Sequence, residues 1–447
     1  MEFQKHMNGT RSIQAMNENS LPEVTILGAG LSGLSFAYHY PGKSVIFEKL
    51  DTIGGTARTE EENNFFYDYG PHVSFTEDPY VIELLSKKVE VFENETKPMN
   101  TYRGIEFPHP ALFHLDKLPK EECYKILVDL VEAYKGYDKD FEAQNYEEWC
   151  EKNQGKYFAQ NYTKKYTKKF WCIDPQLLTV DWVGNRVPSP SISETIKGAI
   201  GLQNESGYYY QRYRYPREKG FGSFSNFWRN REKDINIFLN KEVVAIDTKN
   251  KVIEFKDGYS RKYEALVSTI PIPEMSKIVF NLSNEIKEMI ASLKYTSLHY
   301  INMAIKGEWK RDFSWLYFYD EDIPVTRLIA FNNMSPKMAP KGYTALQMEI
   351  PYTKHFDESL IDKSILAIKN LGYIDDSLIV NVSNKDLKYG YVIYDFKREQ
   401  TVKKITQEFK NMGINSLGRY GTWSYLWSHQ VILQGKELAE KFSKIQA

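Results

Sequence analysis

The sequence predicts an α/β protein: a βαβ dinucleotide-binding unit, interleaved with a mainly helical segment and an antiparallel sheet. Three observations carry this. An apolar run, VTIL (24–27), leads into GAGLSG (28–33) and an apolar helical stretch, LSFAYHY. A second apolar run, SVIFE (44–48), ends in an acid, Glu48, twenty residues after Gly28. Strand-like pieces then recur between helical ones as far as the C-terminus, which favours a discontinuous arrangement over modules in a row.

In the first unit each residue type has a physical task. Gly28 allows the tight turn, Gly30 lets backbone approach a pyrophosphate, and Gly33 lets the helix pack on its strand. The helix start, at Leu31 and Ser32, offers N–H donors and a positive dipole end to phosphate. Glu48 is placed to hold ribose hydroxyls.

Further on, PKEECYKILVDLVEAYK (119–135) has helical apolar spacing, with Pro119 in its first turn and Gly136 as its stop. Aromatic and basic residues follow at 157–171, and KKYTKK (164–169) reads as a solvated helix face. KEVVAIDTKNKVIEFKDG (241–258) reads as strand, turn, strand, and EALVSTIPIP (264–273) as a buried strand ended by prolines. HYINMAIKG, WLYFY, TRLIAF and TALQMEI, within 298–350, read as antiparallel strands. SLIDKSILAIKNLG (359–372) and REQTVKKITQEFKNMG (398–413) are amphipathic helices stopped by glycine, and a last helix is expected at about 430–445.

Composition bounds the function. The chain has 447 residues, 42% hydrophobic and 26% charged, with a net charge of −1. That is a globular profile with no basic field to attract nucleic acid or an anionic membrane. Three cysteines, Cys123, Cys150 and Cys172, lack CxxC spacing, so neither zinc nor a redox pair is implied. They fit a reducing compartment, and the expected location is cytoplasmic. Residues 1–22 are polar and read as an extension, not a secretory signal. No stretch approaches the roughly 18 apolar residues of a membrane span. No nucleophilic triad, metal cluster or paired-carboxylate motif stands out.

The segment after Glu48, KLDTIGGTARTEEENNFFYDYGPHVSF, resembles the second FAD contact of the glutathione-reductase group of flavoproteins. The resemblance implies a GR2-type Rossmann-like FAD-binding fold, with Lys49, Gly55, Thr56 and Arg58 as further cofactor contacts. KEVVAID resembles the strand whose backbone reads the adenine, near Val244.

Within this group, amine oxidases, protoporphyrinogen-oxidase-like enzymes and nucleotide-sugar mutases compete. FFYDYGPHVSFTEDPYV (65–81) resembles the mutase segment whose Gly/His pair, here Gly70 and His72, lies against flavin N5. FWCIDPQLLTVDWVGNRV (170–187) resembles the stretch of UDP-galactopyranose mutases of the eukaryotic type in which a tryptophan precedes a substrate-binding arginine by fifteen residues; here these are Trp171 and Arg186. Tyr317 and Arg327, ten apart, match a diphosphate-binding pair. YGYVIYDFKRE (389–399) resembles a tyrosine-bearing loop, with Tyr391 the closer match. GRYGTWSYLWSHQ (418–430) resembles the closing signature of the mutases. It places Gly418, Arg419, His429 and Gln430 beside FAD and Tyr425 at the diphosphate.

What the resemblance implies is a pyranose/furanose mutase acting on a nucleotide diphosphate sugar, for polysaccharide biosynthesis. Reduced FAD is the nucleophile, through N5, at the anomeric carbon. Gly70, His72, Arg186 and Arg327 are the catalytic set. Trp171, Tyr317, Tyr391, Tyr425, Phe107 and Tyr210 complete substrate binding. NAD(P)H is a candidate reductant and a homo-oligomer a candidate assembly. The chain departs from the pattern where FPHPAL (107–112) replaces the uridine-side segment, and at Thr167, Tyr210 and His429, where the family has asparagine. Another base or a deoxy, amino or longer-chain sugar fits these changes. The alternative is an FAD-dependent oxidoreductase of the amine oxidase or protoporphyrinogen oxidase kind. Trp171 and Trp423 read equally as core rings or site residues. The expected organisation is an FAD domain of 23–100, 215–275 and 385–447, a helical cap of 101–214 and an antiparallel substrate sheet of 276–384.

Overall fold

The computed structural model describes residues 21–137, 140–187, 189–202, 211–226, 228 and 235–444. The expected polar extension, up to residue 20, and Tyr210 lie outside them.

A parallel sheet of five strands runs Ile414–Ser416, Ala265–Ser268, Val24–Leu27, Ser44–Phe47, Asn236–Phe238. Its strands come from three distant parts of the chain, 24–47, 236–268 and 414–416. Val24–Leu27 is buried throughout, which explains why apolar residues fall on both faces of the strand, with Thr25 the one polar side chain. The helix Leu31–His39 packs against the sheet and against the last helix, Ser428–Lys444. Glycine is needed at that crossing, because a Cβ on Gly435 would fall 2.6 Å from the Ser32 carbonyl oxygen. The prolines after Ala265–Ser268 open a new helix: Pro271 caps Ile272–Ile278 and Pro273 sits in its first turn. A three-stranded antiparallel sheet, Val243–Asp247, Val252–Phe255 and Ser260–Lys262, flanks this unit.

The second body is a seven-stranded sheet in the order Ile379–Val392, Tyr295–Lys306, Tyr343–Tyr352, Arg327–Ala330, Trp315–Phe318, Met99–Tyr102, Ile105–Pro108. All neighbours are antiparallel except Trp315–Phe318 with Met99–Tyr102. Two strands thus join from 99–108, and the outer strand runs on to Val392, so the sheet extends beyond the segment 276–384. Alternation sorts its faces. Ile301, Met303, Leu346, Met348 and Ile350 pack in one cluster with Ile368 of the helix Ser359–Asn370. The opposite face carries Tyr300, Asn302, Gln347 and Glu349.

A helical segment supplies Lys120–Gly136, Tyr146–Gln154, Lys164–Trp171 and Ile192–Ala199; these pack on one another, and Lys164–Trp171 also meets the large sheet. Ser191 and Glu194 form a reciprocal cap on the last, turning the Ser/Pro-rich stretch into a helix start. KKYTKK is not wholly a solvated face. Lys169 is half-buried, and its inward-turned ammonium donates to the carbonyls of Phe318, Asp320 and Val325 at 2.8–2.9 Å. Among the described residues no helix is long and apolar enough to cross a membrane.

Candidate active site

One cavity of about 1090 Å³ runs from the first glycine turn to the seven-stranded sheet. This exceeds the upper end of ordinary small-molecule sites, about 1,000 Å³, and suits two ligands end to end.

Its first end is built by Val24–Leu27 and the helix behind it. Gly28 has φ +101°, and a Cβ on Gly33 would meet the Gly28 carbonyl oxygen at 2.3 Å. The turn therefore closes only around glycine. No side chain caps the helix at Gly30 and no acid lies in its first turn, so its first amides have no side-chain partner, and Gly30, Leu31 and Ser32 lie on the cavity wall. Glu48 accepts from the Ala29 and Leu50 amides at 2.8 and 3.0 Å, one per carboxylate oxygen, and each keeps a second lone pair. Gly28, Gly30, Leu31, Ser32, Glu48, Lys49, Gly55, Thr56 and Arg58 all line this end, and Val244 is at its rim, 42% exposed. Arg58 donates to the Gly55 carbonyl at 2.8 Å and lies over the Tyr69 ring.

The other end is built by one row of residues across the large sheet. Register places Tyr300 opposite Glu349, Glu349 opposite Arg327, Arg327 opposite Tyr317, and Tyr317 opposite Asn100. Arg327 donates from Nε and Nη2 to Glu349 Oε1 at 3.1 and 2.9 Å, and from Nη2 to Oε2 at 2.6 Å. Nη2 also reaches the Tyr391 hydroxyl at 2.6 Å, which itself donates to Glu349 Oε1 at 3.1 Å. The Tyr317 hydroxyl accepts from Trp315 Nε1 at 3.0 Å.

Arg186 reaches the same place from the helical segment. It donates to the carbonyls of Trp182 and Tyr425 at 3.1 and 2.6 Å and lies 5.0 Å from the Tyr425 ring centre. Arg419 donates to the carbonyls of Leu426 and Gly390 at 2.9 and 3.1 Å, and its guanidinium is 4.6 Å from the same ring. Among the described residues neither arginine has a carboxylate in salt-bridge reach. These two positive charges are answered by carbonyl dipoles, ring faces and, for Arg419, the Tyr420 hydroxyl, not by a carboxylate.

Trp171 is 2% exposed yet lies on the cavity wall, 5.4 Å from Tyr425 and 5.7 Å from Tyr391 between ring centres. Trp423 is a core ring, fully buried beside Tyr295 and Tyr389. His72 lines the cavity, and burial, with the charges of Arg419 and Arg327, pulls its pKa down to about 4. It is therefore neutral near pH 7. His109 also lines it, its Nδ1–H donating to Asn100 Oδ1 at 3.0 Å, and burial holds its pKa down at about 3.

Some expected contacts point elsewhere. Phe107 is fully buried, stacked on Tyr319 among the rings behind the cavity. Gly70 is recessed behind Tyr69, Pro71 and His72, with its amide turned to Gln347. Gly33, also expected at the cofactor, is not on the cavity wall and packs closely on the Gly28 carbonyl. The Gly418 amide goes to Gln434 at 2.8 Å. Gln430 accepts from the Trp427 amide at 2.9 Å, capping the last helix, while His429 does line the cavity. Sequence reasoning passed over Glu349, Gln347, Tyr300 and Tyr166. The alternation in TALQMEI held a signal, since it puts Gln347 and Glu349 on one face of a buried strand.

Five buried polar atoms without a protein partner lie on lining residues: His72 Nδ1, Tyr166 Oη, Trp182 Nε1, Arg186 Nε and Arg419 Nε. Buried polar atoms are rarely left unpaired, so this wall is shaped for a polar, anionic occupant.

The sequence pattern of the flavin containing amine oxidoreductases matches residues 31–367. The chain belongs to this family. Its cofactor is FAD, and the uncapped helix start, the glycine turn and Glu48 fit a dinucleotide at the first end of the cavity. This flavoprotein is similar in fold to a crystal structure of reduced UDP-galactopyranose mutase, with TM-score 0.89 and 24% identity over 95% of this chain and 94% of that one. It is similar, less closely, to a putative protoporphyrinogen oxidase from Exiguobacterium, with TM-score 0.72 and 15% identity over 95% and 98%. A probable UDP-galactopyranose mutase of Klebsiella pneumoniae is 26% identical over 162 residues, 35% of this chain and 42% of that protein.

Proposed function

We propose that this flavoprotein is a nucleotide-sugar pyranose/furanose mutase. The observation that carries the reading is the convergence of Arg186, Arg327, Tyr317, Tyr391 and Tyr425 at the end of the cavity away from the glycine turn. Guanidinium forks match phosphate oxygens, and tyrosine hydroxyls donate without adding charge. Reduced FAD supplies a nucleophilic nitrogen at N5, and the reaction needs no net redox change. The chain's own residues hold the rest. Arg186 and Arg327 grip the diphosphate before and after it leaves, and so lower the cost of the charge that develops on it. Glu349 fixes the Arg327 fork and leaves Nη1 outside its own bonds. Trp171 offers a flat floor to the C–H face of a sugar. His72, being neutral, shapes the flavin side without adding to the positive field. The likeness to the mutase structure supports this reading.

A second reading is an FAD-dependent oxidoreductase, which the family match favours. A cationic amine, however, would meet the two uncompensated guanidiniums of Arg186 and Arg419, so this reading fits an anionic substrate better. The test is Arg186→Ala. The variant should retain FAD and bind a nucleoside diphosphate about 10–100-fold more weakly, the loss of one or two charge-assisted hydrogen bonds. Unchanged diphosphate affinity, measured by calorimetry on reduced holoenzyme, contradicts the assignment.

A further inference from the structure

Gln347 is 1% exposed in the middle of a sheet strand. Its Oε1 accepts from the Gly70 amide at 3.1 Å, and its Nε2 donates to the Asp68 carbonyl at 2.8 Å and to Asn302 Oδ1 at 2.8 Å. The amide orientation follows from these partners, since Gly70 offers only a donor and Asp68 only an acceptor. Two of the bonds straddle Tyr69 and clasp the backbone on either side. The Gly70 carbonyl is taken by the His72 amide at 2.8 Å, and Pro71 has no amide to give. Gly70 has φ +86°, and a Cβ there would come within 3.2 Å of the Tyr300 hydroxyl and 3.3 Å of Glu349 Oε2. The segment thus has one seat, and Gln347 holds it.

We propose that Gln347 is a positioning residue: it fixes the 68–72 backbone so that Tyr69, Pro71 and His72 present one fixed wall to the flavin. This rests on the reading that puts this wall beside the flavin ring. The titratable residues that line a small polar chamber of about 10 Å³ at this spot are Glu60, Tyr67, Asp68, Tyr69, Tyr300 and Lys385, with Glu349 two residues along the same strand; the Asp68 carboxylate itself is held by Thr59, Tyr215 and the Phe221 amide. Asp68 itself titrates near pH 7, so variants are compared with wild type at each pH.

The test uses Gln347→Glu and Gln347→Leu holoenzymes, after FAD content is measured. In Gln347→Glu the protonated carboxyl still offers one acceptor and one donor; ionised, it offers acceptors only and opposes the Asp68 carbonyl. Burial raises such a carboxyl, so its titration falls between about pH 5 and pH 9. The flavin absorption spectrum and midpoint potential of Gln347→Glu should match wild type at the acid end and depart from it at the alkaline end. Gln347→Leu should depart at every pH. If Gln347→Glu tracks wild type throughout, or both variants depart equally at every pH, the clamp is refuted; should Gln347→Leu not fold, Gln347→Glu alone decides. These readouts need no substrate. Absence of turnover by wild type would count against the mutase reading and leave the clamp standing.

Discussion

At the scale of single residues, the buried pair Arg327 and Glu349 is the strongest commitment of the sheet. Glu349 is fully buried and Arg327 nearly so. Removing one member strands the other as an uncompensated charge, at a cost of about 3–5 kcal/mol. Glu349→Ala should therefore lose about that much stability in urea unfolding, whereas Glu349→Gln, which keeps an acceptor, should lose less. Asp68 supplies a pH test. Burial raises its carboxyl to about 7, against the lowering effect of Thr59, Tyr215 and the Phe221 amide. The folded state thus holds a proton that the unfolded state has released above about pH 4. Asp68 therefore favours folding at low pH, and that contribution fades as pH rises from about 4 through about 7. The stability of Asp68→Asn relative to wild type should rise across that window and level off above it, as unfolding at several pH values will show. Arg327 was legible in sequence through its spacing from Tyr317. Its carboxylate partner was not, because a lone acid in a strand gives no hint of which neighbour the register will set beside it.

At the scale of elements, the helix Lys164–Trp171 joins the helical segment to the sheet. Lys169 gives its ammonium to three carbonyls of the loop between Tyr317 and Arg327. Lys169→Met leaves those carbonyls without a donor and should cost about 2–4 kcal/mol, with faster amide exchange at 318–326. Unchanged exchange would show that the helix is held by its aromatic contacts instead. Gly33→Ala should abolish FAD retention, since the added methyl overlaps the Gly28 carbonyl oxygen and forces the turn open. The two elements differ in how well they read from sequence. The glycine turn is local, with strand, turn and helix adjacent. The basic helix looks solvated in isolation because nothing in KKYTKK shows that one lysine meets a loop about 150 residues away.

At the scale of the whole molecule, the chain weaves two sheets and a helical segment around one cavity. Interleaving was visible in sequence as strands recurring between helices. The recruitment of 99–108 into the large sheet was not, since parallel pairing with Trp315–Phe318 leaves no local signature. The same weaving places Arg186, Arg327 and Arg419, from three distant segments, at one end of the cavity. The most direct measurement compares oxidised and reduced holoenzyme on nucleotide diphosphate sugars in their pyranose and furanose forms. The reduced enzyme, and not the oxidised one, should interconvert the two forms without consuming reductant. Oxygen-dependent oxidation of a small substrate, with no interconversion by the reduced enzyme, would contradict the account.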